Sequence, residues 1–544
     1  MAGPRETQVL ISGGGLVGLS AAMFLARHGI PSLIVERLRE TSQLPRAAFF
    51  HMRTLELFRE AGIEAAVREQ SEREFTPDGQ VVAVESLTGR QIAAFIPSLN
   101  EGVAEVSPCR RLFLTQPGLE PILRRRAEEG GASMMTGHEL VLAEQSDDRV
   151  RCTVKNVETG EEQRIDARYV LCAEGGHSRL REQLGIVMDG RGIFSRSLTI
   201  YFRADLSPYL TGRNLSIIYV VNPTLSGFFR LDKASRRGFF AVNVLGNAVT
   251  GRNIQEDASA DMSEPRLIEL VRIAAGVPDL AVEVEGAARW RCTADLARRY
   301  RDGRIFLAGD AAHLMPPTGG FGGNTGVHDA HNLAWKLALV LKGIADPALL
   351  DTYETERRPV GHFTVEQAYT RYVTRTAPYL GARDYQPVAS DFAIELGYRY
   401  RSPAVAPDSD MVPETEKSGQ SMAGPGFRAP HLWLETKDGP VSTIDLFGKG
   451  FVLLTTPAGH AWSDAARDAA AAFPGLEIRA CVIGSAELGD PRNDFERAYG
   501  VGRSGAVLIR PDGFMAWRSQ APAGATAAQD LHAALARSLM RKAA

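Results

Sequence analysis

The stretch Thr7-Gln8-Val9-Leu10-Ile11-Ser12-Gly13-Gly14-Gly15-Leu16-Val17-Gly18 runs from an apolar strand into a glycine cluster, and Leu16, Leu19, Met23 and Ala26 then recur at helical spacing. Strand, tight turn, helix is the reading. Gly13 permits the turn, Gly15 lets a phosphate approach the backbone, and Gly18 lets the helix lie close on the strand. Open amides at the helix start, at the positive end of its dipole, suit a diphosphate. A second apolar strand, Pro31-Ser32-Leu33-Ile34-Val35, ends at Glu36, where an acidic residue reaches an adenosine ribose. The glycine spacing recurs at Gly500-Val501-Gly502-Arg503-Ser504-Gly505, but that copy runs into Ala506-Val507-Leu508-Ile509, a strand, and is set aside.

Working outward, 544 residues exceed one ordinary domain and suggest about three. The chain is 44% hydrophobic and 23% charged, globular values. A net charge of −3 offers no field for nucleic acid or anionic membranes. Cys109, Cys152, Cys172, Cys292 and Cys481 show neither a paired framework nor metal-ligand spacing, so no metal is expected and a reducing compartment suits them. The first residues lack an apolar signal core, and no apolar run is long enough for a bilayer. A cytoplasmic protein without a membrane partner is expected.

A later segment separates the dinucleotides. Arg304-Ile305-Phe306-Leu307-Ala308 is a buried-type strand ending at Gly309-Asp310, and Pro316 to Gly326 is a loop rich in glycine (Gly319, Gly320, Gly322, Gly323). A helix follows, with Leu333, Leu337, Val340 and Leu341 apolar and Lys336 and Lys342 on other faces. A strand-end carboxylate can accept from ribityl hydroxyls, and a glycine loop feeding a helix can lay amides along the N1/O2 edge of an isoalloxazine. Reduced flavin is anionic there, so a helix N-terminus would favour it by about 0.3–2 kcal/mol. FAD stretched between the two segments is the reading.

With these motifs the chain resembles the class A flavin monooxygenases of the para-hydroxybenzoate hydroxylase fold. Pro45-Arg46-Ala47, the run from Gly309-Asp310 through Pro316-Pro317 to Asn324, Asn332 to Leu337, and Tyr353-Glu354 with Glu356-Arg357 are also family-like. The resemblance implies an α/β plus α+β fold: a Rossmann-like FAD-binding domain over 1–75, 105–180 and 295–400, an antiparallel-sheet substrate domain over 76–104 and 181–294, and a thioredoxin-like tail over 425–544. It implies that Gly13, Gly15, Leu16, Gly18, Glu36, Arg37, Arg46 and Gln116 lie along the cofactor, that Asp310 binds ribitol, and that Pro317, Gly322, Gly323 and Asn324 line the flavin ring. Where the family's middle motif reads Asp-Gly, this chain has Ala173-Glu174-Gly175-Gly176-His177-Ser178-Arg179. Glu174 and His177 are therefore candidates for NADPH or NADH, the transient reductant.

Between these motifs, Ser197 to Arg203, Leu215 to Val221, Gly227 to Leu231 and Phe239 to Val244 read as antiparallel strands, with a hairpin from Val81–Val84 to Gln91–Phe95. Such a sheet would roof the active site. Tyr219, Phe228, Phe229 and Phe240 are the candidates to sandwich a planar substrate. In the tail, Val441–Leu446, Phe451–Leu454 and Leu476–Ile483 read as strands, Ala465–Ala472 as a helix, and Ala506–Arg510 with Phe514–Arg518 as a hairpin before a last helix. No Cys-x-x-Cys is present, so structure or assembly is the expected role, and its deletion should alter assembly before chemistry. Arg399 to Gly424 reads as the connector.

The implied activity is reduction of FAD by NAD(P)H, reaction with O₂ to a C4a-hydroperoxide, and hydroxylation of a phenolic ring. His51 and Tyr219 are the weak candidates to help ionise the phenol. Similarity to bacterial anthracycline and angucycline hydroxylases points to a polycyclic aromatic polyketide. Baeyer–Villiger oxygenation, a simple phenol, and a non-catalytic FAD protein that shelters a polyketide stay open as alternatives, as does a homodimer.

Overall fold

The computed structural model of the protein describes residues 5–40, 49–255, 257–380, 384–407 and 424–542. Arg46 and most of the expected connector, 408–423, lie outside the described residues. No described helix is long and apolar enough to cross a membrane.

The opening strand, Arg5–Ser12, lies between Ser32–Glu36 and Glu162–Cys172 in parallel register, with Ser12 opposite both Val35 and Cys172. Ile305–Leu307 and Ser133–Thr136 extend this parallel set on either side. Parallel strands are covered on both faces, which is why Val9 to Ile11 and Ile305 to Leu307 read as unbroken apolar runs and are fully buried. The register has a functional consequence. Because Ser12, Val35, Cys172 and Leu307 stand in one row, the glycine turn, Glu36, Glu174 and Gly309-Asp310 all leave the sheet at the same edge, the carboxyl ends of the strands.

A second sheet of nine described strands runs in the order His313–Leu314, Glu283–Ala297, Met188–Arg203, Arg237–Asn247, Leu225–Leu231, Leu215–Val221, Gln80–Val84 and Gln91–Ile96, with Arg252–Gln255 added on Arg237–Asn247. It is antiparallel throughout except that Gln80–Val84 runs parallel to Leu215–Val221, a departure from the all-antiparallel expectation. The hairpin Gln80–Val84 with Gln91–Ile96 arrives from a distant part of the chain and extends an edge, so no local turn fixes its direction. Helix Glu264–Ala275 covers one face of this sheet through Leu267, Leu270, Val271 and Ala274.

In the tail, Ile478–Val482, Phe451–Thr455, Ala506–Ile509 and Met515–Ser519 form a sheet in that order, its first pair parallel and the others antiparallel. Val441–Leu446 is not one strand. The strand Gly439–Ser442 pairs with Trp433–Thr436, and Thr443–Leu446 curls into a 3₁₀ turn because Ser442 and Asp445 close a reciprocal cap on it. The described start of the expected connector is packed rather than loose. Tyr400 is buried and stacks on Phe514 at 4.1 Å, and Ala404 is fully buried.

Candidate active site

The first glycine turn is built as its sequence suggests. Gly13 has φ +105°, and a Cβ there would fall 2.3 Å from the Ala173 carbonyl oxygen. A Cβ at Gly18 would fall 1.9 Å from the Gly13 oxygen, whereas one at Gly15 would meet only Glu120 Oε1 and Gln116 Nε2, at 3.7 and 3.8 Å. The turn is closed where helix meets strand and open where a phosphate would come. The Glu36 carboxylate accepts from the Gly14 amide at 2.6 Å and the Leu38 amide at 2.7 Å, so it braces the turn from the neighbouring strand end. Arg37 is exposed beside it. Gln116 hydrogen-bonds Glu120 on the next turn of helix Gln116–Glu129.

The distant motif meets this turn directly. Val17 Cγ2 lies 2.5 Å from where a Cβ of Gly326 would stand and 2.8 Å from one of Gly309. Asp310 is exposed at the strand end, with Oδ1 3.8 Å from where a Cβ of Gly322 would stand, and Pro317 is exposed nearby. The helix begins earlier than its apolar spacing suggests. It spans Phe321–Leu341, so Gly322, Gly323 and Asn324 form its first turn, entered through Gly320 at φ +69°. No acidic side chain occupies that turn, which leaves its amide end electropositive. Two uncapped helix starts, an exposed strand-end carboxylate and glycine surfaces without side chains fit an extended dinucleotide carrying a flavin.

Three expected site residues have other work. Asn324 Nδ2 donates to the carbonyls of Phe49 (2.9 Å) and Gly320 (2.7 Å), while Oδ1 accepts from the His51 amide (3.0 Å) and the Thr54 hydroxyl (2.7 Å). Both donor hydrogens and both acceptor lone pairs are used, so its side chain clamps the loop. His51 is buried, with Nε2 3.0 Å from the Gly319 carbonyl and its ring edge-on to Phe49 and Phe321. Burial, with Arg111 nearby, lowers its pKa to about 3; it is a neutral donor to Gly319 and no base at neutral pH. Glu174 accepts from Ser12 Oγ (2.6 Å), Ser178 Oγ (2.8 Å) and the Leu180 amide (3.1 Å), joining the first strand to the next helix. Its longer side chain reaches these three protein donors. His177 is exposed.

The roof divides the aromatic candidates. Phe229 and Phe240 are fully buried and pack with Leu267 and Leu270 under the covering helix, so they belong to the core on the far side. Tyr219 and Phe228 point the other way. Ring centroids run from Tyr201 to Phe239 (6.1 Å), Phe228 (5.9 Å), Tyr219 (5.9 Å) and Phe95 (5.7 Å). This face turns toward the flavin-binding layer: Arg230 beside Phe228 is sandwiched between Phe75 and Phe113 at 3.8 and 4.0 Å, and Arg375 lies 5.1 Å over Phe95, with its charge felt at Tyr219. Tyr201, Phe239, Phe95 and Arg375 were missed in the sequence. Phe239 could have been found, since Phe228 and Phe239 occupy the same phase of two strands.

A family model described as FAD binding domain matches residues 6–368, and one described as aromatic-ring hydroxylase, C-terminal, matches residues 423–541. The chain therefore belongs to the FAD-dependent aromatic-ring hydroxylases and is a flavin monooxygenase. Similar proteins include a 4-methyl-5-nitrocatechol 5-monooxygenase from Burkholderia sp, 49% identical over 95% of this chain and 94% of that one. A tetracenomycin A2 monooxygenase-dioxygenase from Streptomyces glaucescens is 37% identical over 99% of this chain and 97% of that one. The crystal structure of aklavinone-11 hydroxylase in ternary complex with FAD and aklavinone matches with a TM-score of 0.92 at 35% identity, covering 99% of this chain and 100% of that one.

Proposed function

We propose that the protein hydroxylates a phenolic, polycyclic aromatic substrate of the polyketide kind, with NADPH or NADH as reductant and O₂ as oxygen source. The observation that carries this reading is the stripe of rings from Tyr201 to Phe95 on the flavin-side face of the roof, a surface on which a planar fused-ring molecule can stack. The names of the tetracenomycin and aklavinone relatives support it. FAD, once bound and reduced by NAD(P)H, would supply the electrons that turn O₂ into an electrophilic oxygen donor. On this reading the bulk of the FAD-binding part is 1–75, 105–180 and 295–400, with Asp310 toward ribitol and Glu36 and Gln116 toward the nucleotide half.

The chain's own contribution is placement and charge. Burial raises the pKa of Tyr219 above the usual phenol range, so this side chain stays a neutral hydrogen-bond donor rather than a base. Arg375 beside it supplies the cation that would favour an ionised, electron-rich substrate phenol. An aromatic roof packed over the substrate would also keep water from the reacting ring.

A second reading, a single-ring catechol, is favoured by the 49% identity to the nitrocatechol enzyme. NAD(P)H oxidation measured with each class of compound, together with product mass, decides between them. Fused-ring phenols that stimulate oxidation and gain one oxygen support the first reading. Stimulation by substituted catechols alone replaces it with the second, and binding without turnover contradicts both.

A further inference from the structure

Glu120 is a carboxyl in an unexpected place. It is 4% exposed on helix Gln116–Glu129 and stands at the mouth of the first glycine turn, with Oε1 3.7 Å from where a Cβ of Gly15 would be. Gln116 Nε2 hydrogen-bonds it, and the Leu16 amide, the first of helix Leu16–Arg27, favours its charged form. A carboxyl group therefore already sits at the helix start to which a diphosphate is drawn. Facing it from the adjacent strand end is the Glu36 carboxylate, a like charge.

We propose that Glu120 holds the place of the diphosphate in the cofactor-free protein and takes up a proton when FAD binds, so that cofactor affinity depends on pH through this one side chain. The diphosphate brings further negative charge to the same amides, and two anions cannot share a part-buried site without one being neutralised. The diphosphate does not titrate near neutrality. The carboxyl can, because burial, with Glu36 adding to it and Gln116 opposing, raises its pKa to about 7. The proton comes from solvent.

The sign follows from linkage. In the cofactor-free protein Glu120 is already protonated below pH 7, so affinity there is flat. Above pH 7 the proton must be acquired on binding, and affinity falls by up to about tenfold per pH unit until the raised pKa of the bound state is reached.

The test uses protein stripped of FAD and titrated with FAD by fluorescence from pH 6 to 9, with calorimetry at pH 8 in two buffers of different ionisation heat. Wild type should weaken about tenfold between pH 7.5 and 8.5 and take up close to one proton at pH 8. Glu120→Gln should bind with no such pH dependence, and at pH 8.5 about thirtyfold more tightly than wild type. A pH slope equal in both proteins overturns the proposal. Should the variant fail to fold, the wild-type calorimetry decides alone, because no proton uptake at pH 8 is equally fatal.

Discussion

His51 shows how one side chain can resemble a catalyst and act as a clamp. A histidine beside the flavin loop invites a role as base, yet its ring is enclosed by Phe49 and Phe321 and its Nε2 is committed to Gly319. With a pKa of about 3 it stays neutral in the folded protein, whereas the unfolded chain protonates it below about pH 6.5. The folded state thus loses stability as pH falls below 6.5. His51→Gln keeps an N–H donor but removes this dependence, so the stability gap between wild type and variant should narrow by up to about 1.4 kcal/mol per pH unit from pH 6.5 to 4.5, read by denaturant titration. A gap constant with pH would mean the ring is not held neutral. Glu174 is the companion case. Glu174→Gln should cost about 1–3 kcal/mol of stability by replacing one of the two acceptor oxygens and so stranding either the Ser12 donor or those of Ser178 and Leu180, with the KM for NADPH unchanged. A raised KM at unchanged melting temperature would return Glu174 to the nucleotide. Asp310→Ala, which removes the exposed strand-end acceptor, should lose most bound FAD, and a fully yellow variant would contradict that placement.

Strands and helices were legible in the sequence where the physics is local. The period of two in Leu215 to Val221 and Phe239 to Val244, and the unbroken apolar runs of the parallel strands, follow from pleat and burial. Which face of the roof looks inward was not legible, because Phe228-Phe229 and Phe239-Phe240 each put one ring on either side. Only the helix Glu264–Ala275 makes the choice, by covering Phe229 and Phe240. The early start of Phe321–Leu341 was hidden for a related reason, since glycines at 322 and 323 look like loop until the electropositive helix end they expose is given a use. The roof makes a paired prediction. Phe229→Ala should cost about 3–5 kcal/mol with little change in substrate affinity, and Phe228→Ala should weaken substrate binding and waste NAD(P)H at nearly normal stability. Equal stability losses with unchanged coupling would show that the stripe Tyr201 to Phe95 is core on both sides.

At the scale of the molecule, the tail is bonded into the flavin-binding layer. Glu356 accepts from Arg510 Nη1 (2.6 Å) and Nη2 (2.9 Å), from Lys336 Nζ (2.7 Å) and from Asn332 Nδ2 (2.8 Å), all with Asp512 beside them and without solvent exposure at Glu356, Lys336 or Arg510. Arg428 Nε meets Glu56 at 2.9 Å, and Arg53 donates to the Asp512 carbonyl. Lys336, expected on a polar helix face, is buried because the tail covers that face; burial, only partly offset by Glu356, lowers its pKa to about 8. Pairwise sequence patterns cannot show this, since Arg510 and Glu356 are 154 positions apart. The network also changes the expectation for truncation. Removing the tail would leave Glu356 with Lys336 and no Arg510, and Glu56 without Arg428, inside helices Thr352–Arg375 and Met52–Glu60 of the flavin-binding layer. Breaking one buried pair typically costs about 3–5 kcal/mol, comparable to the whole stability of a marginal domain. Arg510→Ala should therefore lower the melting temperature and release FAD in the same transition, followed by flavin fluorescence and circular dichroism together. Deletion after about Pro425 should yield aggregated protein rather than an altered assembly with intact chemistry. A soluble truncated chain that stays yellow would show that the buried charges between the tail and the long helices are dispensable.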